Sequence, residues 1–246
     1  MDQAVTHEHD MQPGYRRRIR IEPGAGHVRA LLEDDFHSMA VTLHIAEGIV
    51  TAVEPEVERA PWTTCPGAEA QLRQTFTGLP LAEVTARRDK KSNCTHLHDI
   101  AVLAAAHASD EANTSYDFFA SDPVDGVRIL ELLRGGELLL RWREHNGVLE
   151  HPTDLAGRTL PTLRDWIAGL PVTEQEPARL LQWASMVAHG RLIPMDQQST
   201  ASALPANCYT LQPERAAVAL RVGRVFDFSD GSRVPLAVFD ERIARD

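Results

Sequence analysis

Apolar and polar residues alternate in several short stretches early in the chain, a period of two that marks β-strands with one buried face. Tyr15–Glu22 is the first expected strand, closed by the Pro23-Gly24 turn, and His27–Glu33 is the second. Across Ser38–Ala46, Met39, Val41, Leu43 and Ile45 fall on one side. Glu47-Gly48 supplies a turn, with Gly48 where positive φ is tolerated, and Ile49–Glu56 follows as the hairpin partner. Past Pro61 and Pro66-Gly67 the period changes. Ala68, Leu72 and Phe76 stand at helical spacing in a segment that stops at Gly78, and a second short helix is expected over Leu81–Arg88. The charged run Arg87–Lys91 reads as a solvated connector. From Cys94 the chain is strongly helix-forming, with Leu97, Ile100, Ala101, Ala104 and Ala105 on one face and Asn93 placed to cap it.

The later part returns to strands, expected at Tyr116–Ala120, Val127–Leu133 and Glu137–Arg143, with turns at Gly135-Gly136 and His145-Asn146-Gly147. Helices are expected over Leu160–Leu170 and Glu176–His189, a loop over Gln197–Ala206, and a helix opened by Pro213 and running to Leu220. Val225–Phe228 reads as a last strand. Strands and helices come in blocks, so the class is α+β. The domain reading is a flexible tail over residues 1–14, a first domain over 15–110, and a second α+β region over 111–246 that packs on the first.

Composition narrows the function classes. Hydrophobic residues make up 43% and charged residues 24% of 246 positions, ordinary for a globular protein. A formal net charge of -10 argues against nucleic acid as a partner. The basic run Arg16-Arg17-Arg18 with Arg20 alternates with Tyr15, Ile19 and Ile21, and reads as the exposed face of the opening strand. The polar N-terminus, with His7-Glu8-His9-Asp10, lacks the apolar core of a signal peptide. The apolar run Ile100–Ala106 is too short to span a bilayer. Three cysteines do not make a disulfide framework, and the chain is expected in the cytoplasm, where thiols serve metals or nucleophilic chemistry.

Metal-competent side chains sit at element boundaries, where they can converge without disturbing a core. His37 precedes the first hairpin strand, Cys65 lies in the loop after the hairpin, and Cys94 opens the long helix with His96 close behind. Taken singly, each has a plainer reading: a Cys is among the most buried residue types, and a His before a strand can be a hydrogen-bonded surface group. The helix N-terminus favours a thiolate at Cys94. Asp35, His98 and Asp99 are candidates for acid–base work. Arg59 would bind a substrate carboxylate, or else pair with Glu56 or Glu58. Cys208 and Tyr209, in the loop Asn207-Cys208-Tyr209, either cover the site, with Tyr209 binding substrate, or pack, and His189 is a weaker candidate.

From Asp35 to about Ala108 the chain resembles the NifU/IscU-type iron–sulfur scaffold domain. The matching pieces are His37 with Met39–Ala46, Glu47-Gly48-Ile49, Cys65-Pro66-Gly67-Ala68, Gly78–Glu83, and Asn93-Cys94 before Leu97 and Ile100. His37 stands where the scaffold has its first Cys, and Asn93 where it has a His. The resemblance implies a ligand set of His37, Cys65 and Cys94, with His96 as a substitute. Over most of its length the chain also resembles an uncharacterised bacterial family with the pattern Asp-x-x-His, Arg-x-Pro-x-x-x-Cys and Cys-Thr-His-Leu.

Two Cys with one or two His suit one zinc or iron ion better than a hard cation. The residues beyond the scaffold-like part, among them Trp142, Trp166, Trp183 and Phe226, would line an apolar cavity or simply form core. The expected function is a metal-dependent hydrolase or lyase acting on a small organic molecule, with a homodimer open as its assembly. The alternative is an iron–sulfur or sulfur-trafficking protein.

Overall fold

The computed structural model describes residues 12–193, 200–222 and 224–243. The His7–Asp10 stretch and the tail to Met11 lie outside them. The strands are β1 (Gly14–Gly24), β2 (His27–Asp34), β3 (Ser38–Ala46), β4 (Ile49–Arg59), β5 (Thr114–Ser121), β6 (Val127–Arg134), β7 (Glu137–His145) and β8 (Val148–His151). The helices are α1 (Ala68–Phe76), α2 (Leu81–Ala86), α3 (Thr95–Ala106), α4 (Arg164–Ala168), α5 (Val172–Ala188), α6 (Pro213–Ala216) and α7 (Ala237–Ile243). The strands form an antiparallel sheet in the order β4-β3-β2-β1-β5-β6-β7-β8, so the class is mixed α and β with the strands consecutive in blocks. Among the described residues, no helix is long and apolar enough to cross a membrane.

The chain divides into two compact units. One takes residues 19–115, 200–222, 224–226 and 238–243. Its frame is the β2–β3–β4 meander, in which His27 pairs with His44 and Glu33 with Ser38. At one end β3 turns into β4 through Glu47 (φ 53°) and Gly48 (φ 75°), a left-handed pair that matches strand twist. At the other end only Asp35, Phe36 and His37 separate β2 from β3. Pro55 sits on β4, the edge strand, where a missing N–H costs no ladder bond on the outer side. Helix α3 lies on β3 and β2, α1 runs along β4, and α2 packs on α3. Val28, Ala30, Leu32, Met39, Val41, Leu43, Leu72, Phe76, Leu97, Ile100 and Ala104 are fully buried between these layers. Fully burying a Leu or Val contributes about 1.5–3 kcal/mol, so this apolar set fixes how α3 lies on the sheet.

The other unit takes residues 12–18, 116–193 and 227–237. Its frame is the β5–β8 meander, turned by Gly135-Gly136 and by Asn146-Gly147, all at positive φ. Helix α5 packs on β6 and β7. Trp142 is buried in this core and meets Trp166 edge-on at 6.3 Å. Arg128 and Glu144, both buried, form an ion pair at 3.1 Å.

Several expectations change. Arg17 is not on an exposed face: it is 2% exposed, on the same side of β1 as Tyr15, with its guanidinium 4.8 Å over the Trp183 ring. A cation laid on aromatic faces keeps favourable electrostatics while its stem is covered. Asn93 does not cap α3. Cys94 takes the cap position, and the Asn93 amide bonds Asp89 and Thr75 instead. The helix expected over Leu160–Leu170 breaks into a 3₁₀ turn at Leu160–Thr162 and α4, because Pro161 starts a new turn that Thr159 and Thr162 close reciprocally. Helix α5 begins before the expected Glu176 and carries Pro177 inside it. Of the helix expected from Pro213 to Leu220 only Pro213–Ala216 is helical, and Val225–Phe228 forms no strand. Strand β8 and helix α7 were not expected.

The Glu47-Gly48 turn gives a direct test of the meander. A methyl group on Gly48 would meet nothing within 4 Å, so Gly48→Ala pays only for its left-handed backbone. We expect a loss of about 1–2 kcal/mol, read as a lower urea midpoint with unchanged m-value. An unchanged midpoint would rule out the strained turn.

Candidate metal centre

The β2–β3 hairpin tip is built around one carboxylate. Asp34 is fully buried, and its Oδ1 accepts hydrogen bonds from the Phe36 and His37 backbone N–H groups, each at 2.8 Å. This is the local turn that Asp favours, its side chain satisfying amides two and three residues ahead. The same oxygen meets His37 Nδ1 at 3.0 Å. With Nδ1 held by the carboxylate, Nε2 is the nitrogen that His37 can offer a ligand.

Helix α3 brings the second imidazole. His96 lies in its first turn, and its ring stacks on that of His37 with centroids 3.8 Å apart and planes 30° from parallel. One ligand atom each from Asp34, His37 and His96 lies within 4.8 Å of the others, and all three residues are buried. Each residue is held by a different constraint: Asp34 by the end of β2, His37 by a three-residue turn, and His96 by α3 packing on β2 and β3.

Arg59 closes the tip from behind. Its guanidinium donates to the carbonyls of Asp34 (2.6 Å), Asp35 (2.8 Å) and His37 (3.1 Å) and to Glu33 Oε1 (3.2 Å). It also lies 4.2 Å over the Phe226 ring, and the Phe226 N–H bonds the Asp35 carbonyl at 2.8 Å. Arg59 is therefore committed to the loop, and the expectation that it binds a substrate carboxylate or pairs with Glu56 or Glu58 gives way to this role. The fork of donors suits several carbonyls at once, which a lysine could not do.

The cysteines occupy the neighbouring part of the same unit. Cys65 begins a 3₁₀ turn just after β4, and Thr210 Oγ1 donates to its sulfur at 3.4 Å. Cys94 stands at the start of α3. Burial pushes the Cys65 thiol up, with the Thr210 hydrogen bond pulling the other way. Burial also pushes the Cys94 thiol far up, a charge on Cys65 would push it further, and the Leu97 and His96 amides only partly offset this. At Cys94 burial therefore works against the preference of the helix start for a thiolate. Cys65 and Cys94 are not members of the group formed by Asp34, His37 and His96.

The remaining candidates are placed as follows. His98 is fully buried with its ring 5.2 Å from Phe76, and its Nε2 has no hydrogen-bond partner. Two residues around a helix from His96, it faces another way. Asp99 pairs with Lys90 at 2.6 Å. Asp35 is buried beside Asp34 but is not the carboxylate that reaches His37. Tyr209 packs over the Cys65 turn, close enough that a methyl on Gly67 would come within 2.9 Å of its hydroxyl, and Arg215 covers its ring at 3.9 Å. Asp34 is the residue that the candidate set omitted; its signal was the Asp-x-x-His spacing with two small-loop residues between. Trp142, Trp183 and Phe226 are each accounted for by packing or by an arginine.

Residues 11–109 match a family described as a protein of unknown function (DUF2889). The match spans Asp34, His37, Arg59, Cys65, Cys94 and His96, and ends before Cys208. No curated protein matches the chain.

Removing the Arg59 clamp leaves buried carbonyls and Glu33 short of a donor. We expect Arg59→Ala to destabilise the protein by about 3–5 kcal/mol, the range for breaking a buried charged pair, and Arg59→Lys to recover little of it. Guanidinium unfolding checks this; equal midpoints for the Ala variant and the wild type would show that the loop holds itself.

Proposed function

We propose that this chain is a metal-dependent enzyme, a hydrolase or lyase of small organic molecules, using one zinc or iron(II) ion. The observation that carries the reading is that one ligand atom each of Asp34, His37 and His96 lies within 4.8 Å of the others, with the buried Asp34 carboxylate hydrogen-bonded to His37 Nδ1. Imidazole pairs of this kind suit zinc and iron, whereas hard cations take oxygen shells. Cys65 and Cys94 supply thiols in the same unit, in keeping with a mixed nitrogen and sulfur donor set. Such an ion would polarise a carbonyl or lower the pKa of a bound water.

The residues around it have definable tasks. Asp34 fixes the His37 ring and strengthens it as a donor through the shared Nδ1 hydrogen bond. Arg59 keeps the Asp34–His37 turn rigid, so that the ligand atoms need no reorganisation. His98 faces Phe76 and would not move a proton at this point. The alternative reading, an iron–sulfur or sulfur-trafficking protein, draws support from the buried thiols of Cys65 and Cys94 and from the scaffold-like motifs around them. The preorganised imidazole pair favours the enzyme.

Elemental analysis of protein purified without oxygen tests the site. Wild type should carry stoichiometric zinc or iron that survives gel filtration. His37→Ala and His96→Ala should each lose it while keeping the far-ultraviolet circular dichroism of the wild type. Asp34→Asn should weaken binding by about 10–100-fold, the usual cost of losing a carboxylate behind a ligating His. Full metal content in both His variants would sink the proposal, and rapid transfer of metal or cluster to an acceptor would turn it toward trafficking.

A further inference from the structure

Arg221 is a half-buried cation with an unspent donor. Its backbone belongs to a short antiparallel ladder in which Trp62 and Arg221 are bridged. Thr63 N–H donates to the Leu220 carbonyl at 3.0 Å, Val222 N–H to the Pro61 carbonyl at 2.9 Å, and Leu220 N–H to Thr63 Oγ1 at 3.1 Å. Residues opposite each other in such a pair share a face, and the Arg221 guanidinium lies 5.6 Å from the centroid of the buried Trp62 ring. Its Nη1 is buried and has no hydrogen-bond partner. Burial pulls the guanidinium down from the usual arginine range. A cationic N–H kept from water calls for an acceptor, and the protein supplies none to this one. The facing strand holds a second unspent group. The Cys65 N–H bonds the Trp62 carbonyl at 3.1 Å, closing a turn in which Thr64 has φ −90° and ψ −10°. Thr64 Oγ1 is likewise buried without a partner. Further along, the segment that carries Arg221 is tied to the β2–β3 tip, through Phe226 N–H to the Asp35 carbonyl at 2.8 Å and Arg59 to the Arg224 carbonyl at 3.3 Å. Arg59 is spent on that tip, whereas Arg221 is not.

We infer that Arg221 Nη1 and Thr64 Oγ1 bind the carboxylate of a small organic acid. This rests on the enzyme reading above and deepens it by naming the substrate class. A guanidinium N–H and a hydroxyl O–H are both donors, and a carboxylate is the acceptor-only group that takes one bond on each oxygen. The bond from a charged donor is about twice as strong as a neutral one, so Arg221 carries most of the affinity and Thr64 fixes the orientation. One positive charge and one hydroxyl balance a single negative charge, which favours a carboxylate over a doubly charged phosphate. Arg221 lies outside the region matched by the family, which ends at residue 109.

Fluorine-19 line broadening with the full-length protein as purified tests this, using trifluoroacetate as the probe and trifluoroethanol as its uncharged control. Metal content is measured on the same samples. The wild type should broaden trifluoroacetate alone, and acetate should reverse the broadening. Arg221→Gln should lose at least about 10-fold in affinity, the scale of one charged hydrogen bond, and Thr64→Val about 2–10-fold, both with the metal content of the wild type. Unchanged affinity in Arg221→Gln, or no broadening of trifluoroacetate by the wild type, overturns the inference, as does equal broadening of trifluoroethanol. Inorganic phosphate competing better than acetate overturns the assignment to a carboxylate. Should Arg221→Gln fold poorly, the nearly isosteric Thr64→Val decides, and unchanged affinity there overturns the site. A wild type that holds no metal yet binds trifluoroacetate through Arg221 removes the enzyme reading and leaves the acid site standing.

Discussion

A three-residue connection between two antiparallel strands leaves backbone amides and carbonyls that cannot all pair with each other, and burying them unpaired is costly. At the β2–β3 tip this constraint is met by two side chains of opposite charge. Asp34 takes the amides of Phe36 and His37, and Arg59 takes the carbonyls of Asp34, Asp35 and His37. Because both charges are spread over several hydrogen bonds to backbone, neither is left bare in the interior. The position of His37 follows from that arrangement, and the stacking of His96 on it follows from α3 lying on β2 and β3.

The same surroundings bear on the thiols. Burial makes an uncompensated thiolate at Cys65 or Cys94 unfavourable, and the start of α3 is too weak an influence to reverse it. A cation reverses that balance directly, since a ligating thiol is held deprotonated by the ion itself.

The other unit shows a second way of covering charge. Arg17 lies against Trp183 and Tyr15, and Arg128 pairs with Glu144 inside the β5–β8 region. Arg17 lies on aromatic faces and Arg128 faces a carboxylate, and each contact favours a guanidinium that is buried from water. The tryptophans of this unit are thereby engaged in packing.

Local sequence sufficed wherever a pattern repeats or a turn needs a particular residue. The alternation across Ser38–Ala46, the Glu47-Gly48 and Asn146-Gly147 turns and the apolar face of α3 are local properties of period and backbone conformation. It also marked His37 and His96 as metal-competent, because they stand at element boundaries. What local pattern could not convey is contact between distant segments. Arg17 sits at an alternating position and reads as exposed until Trp183 is seen over it. Arg59 reads as a free cation until the turn it holds is folded beside it. Asp35 and Asp34 are equivalent as letters, and only the turn geometry selects Asp34 to reach His37. Tyr209 and Thr210 bond the Asn93 carbonyl and the Cys65 sulfur, pairings between segments far apart along the chain that only the tertiary structure brings about.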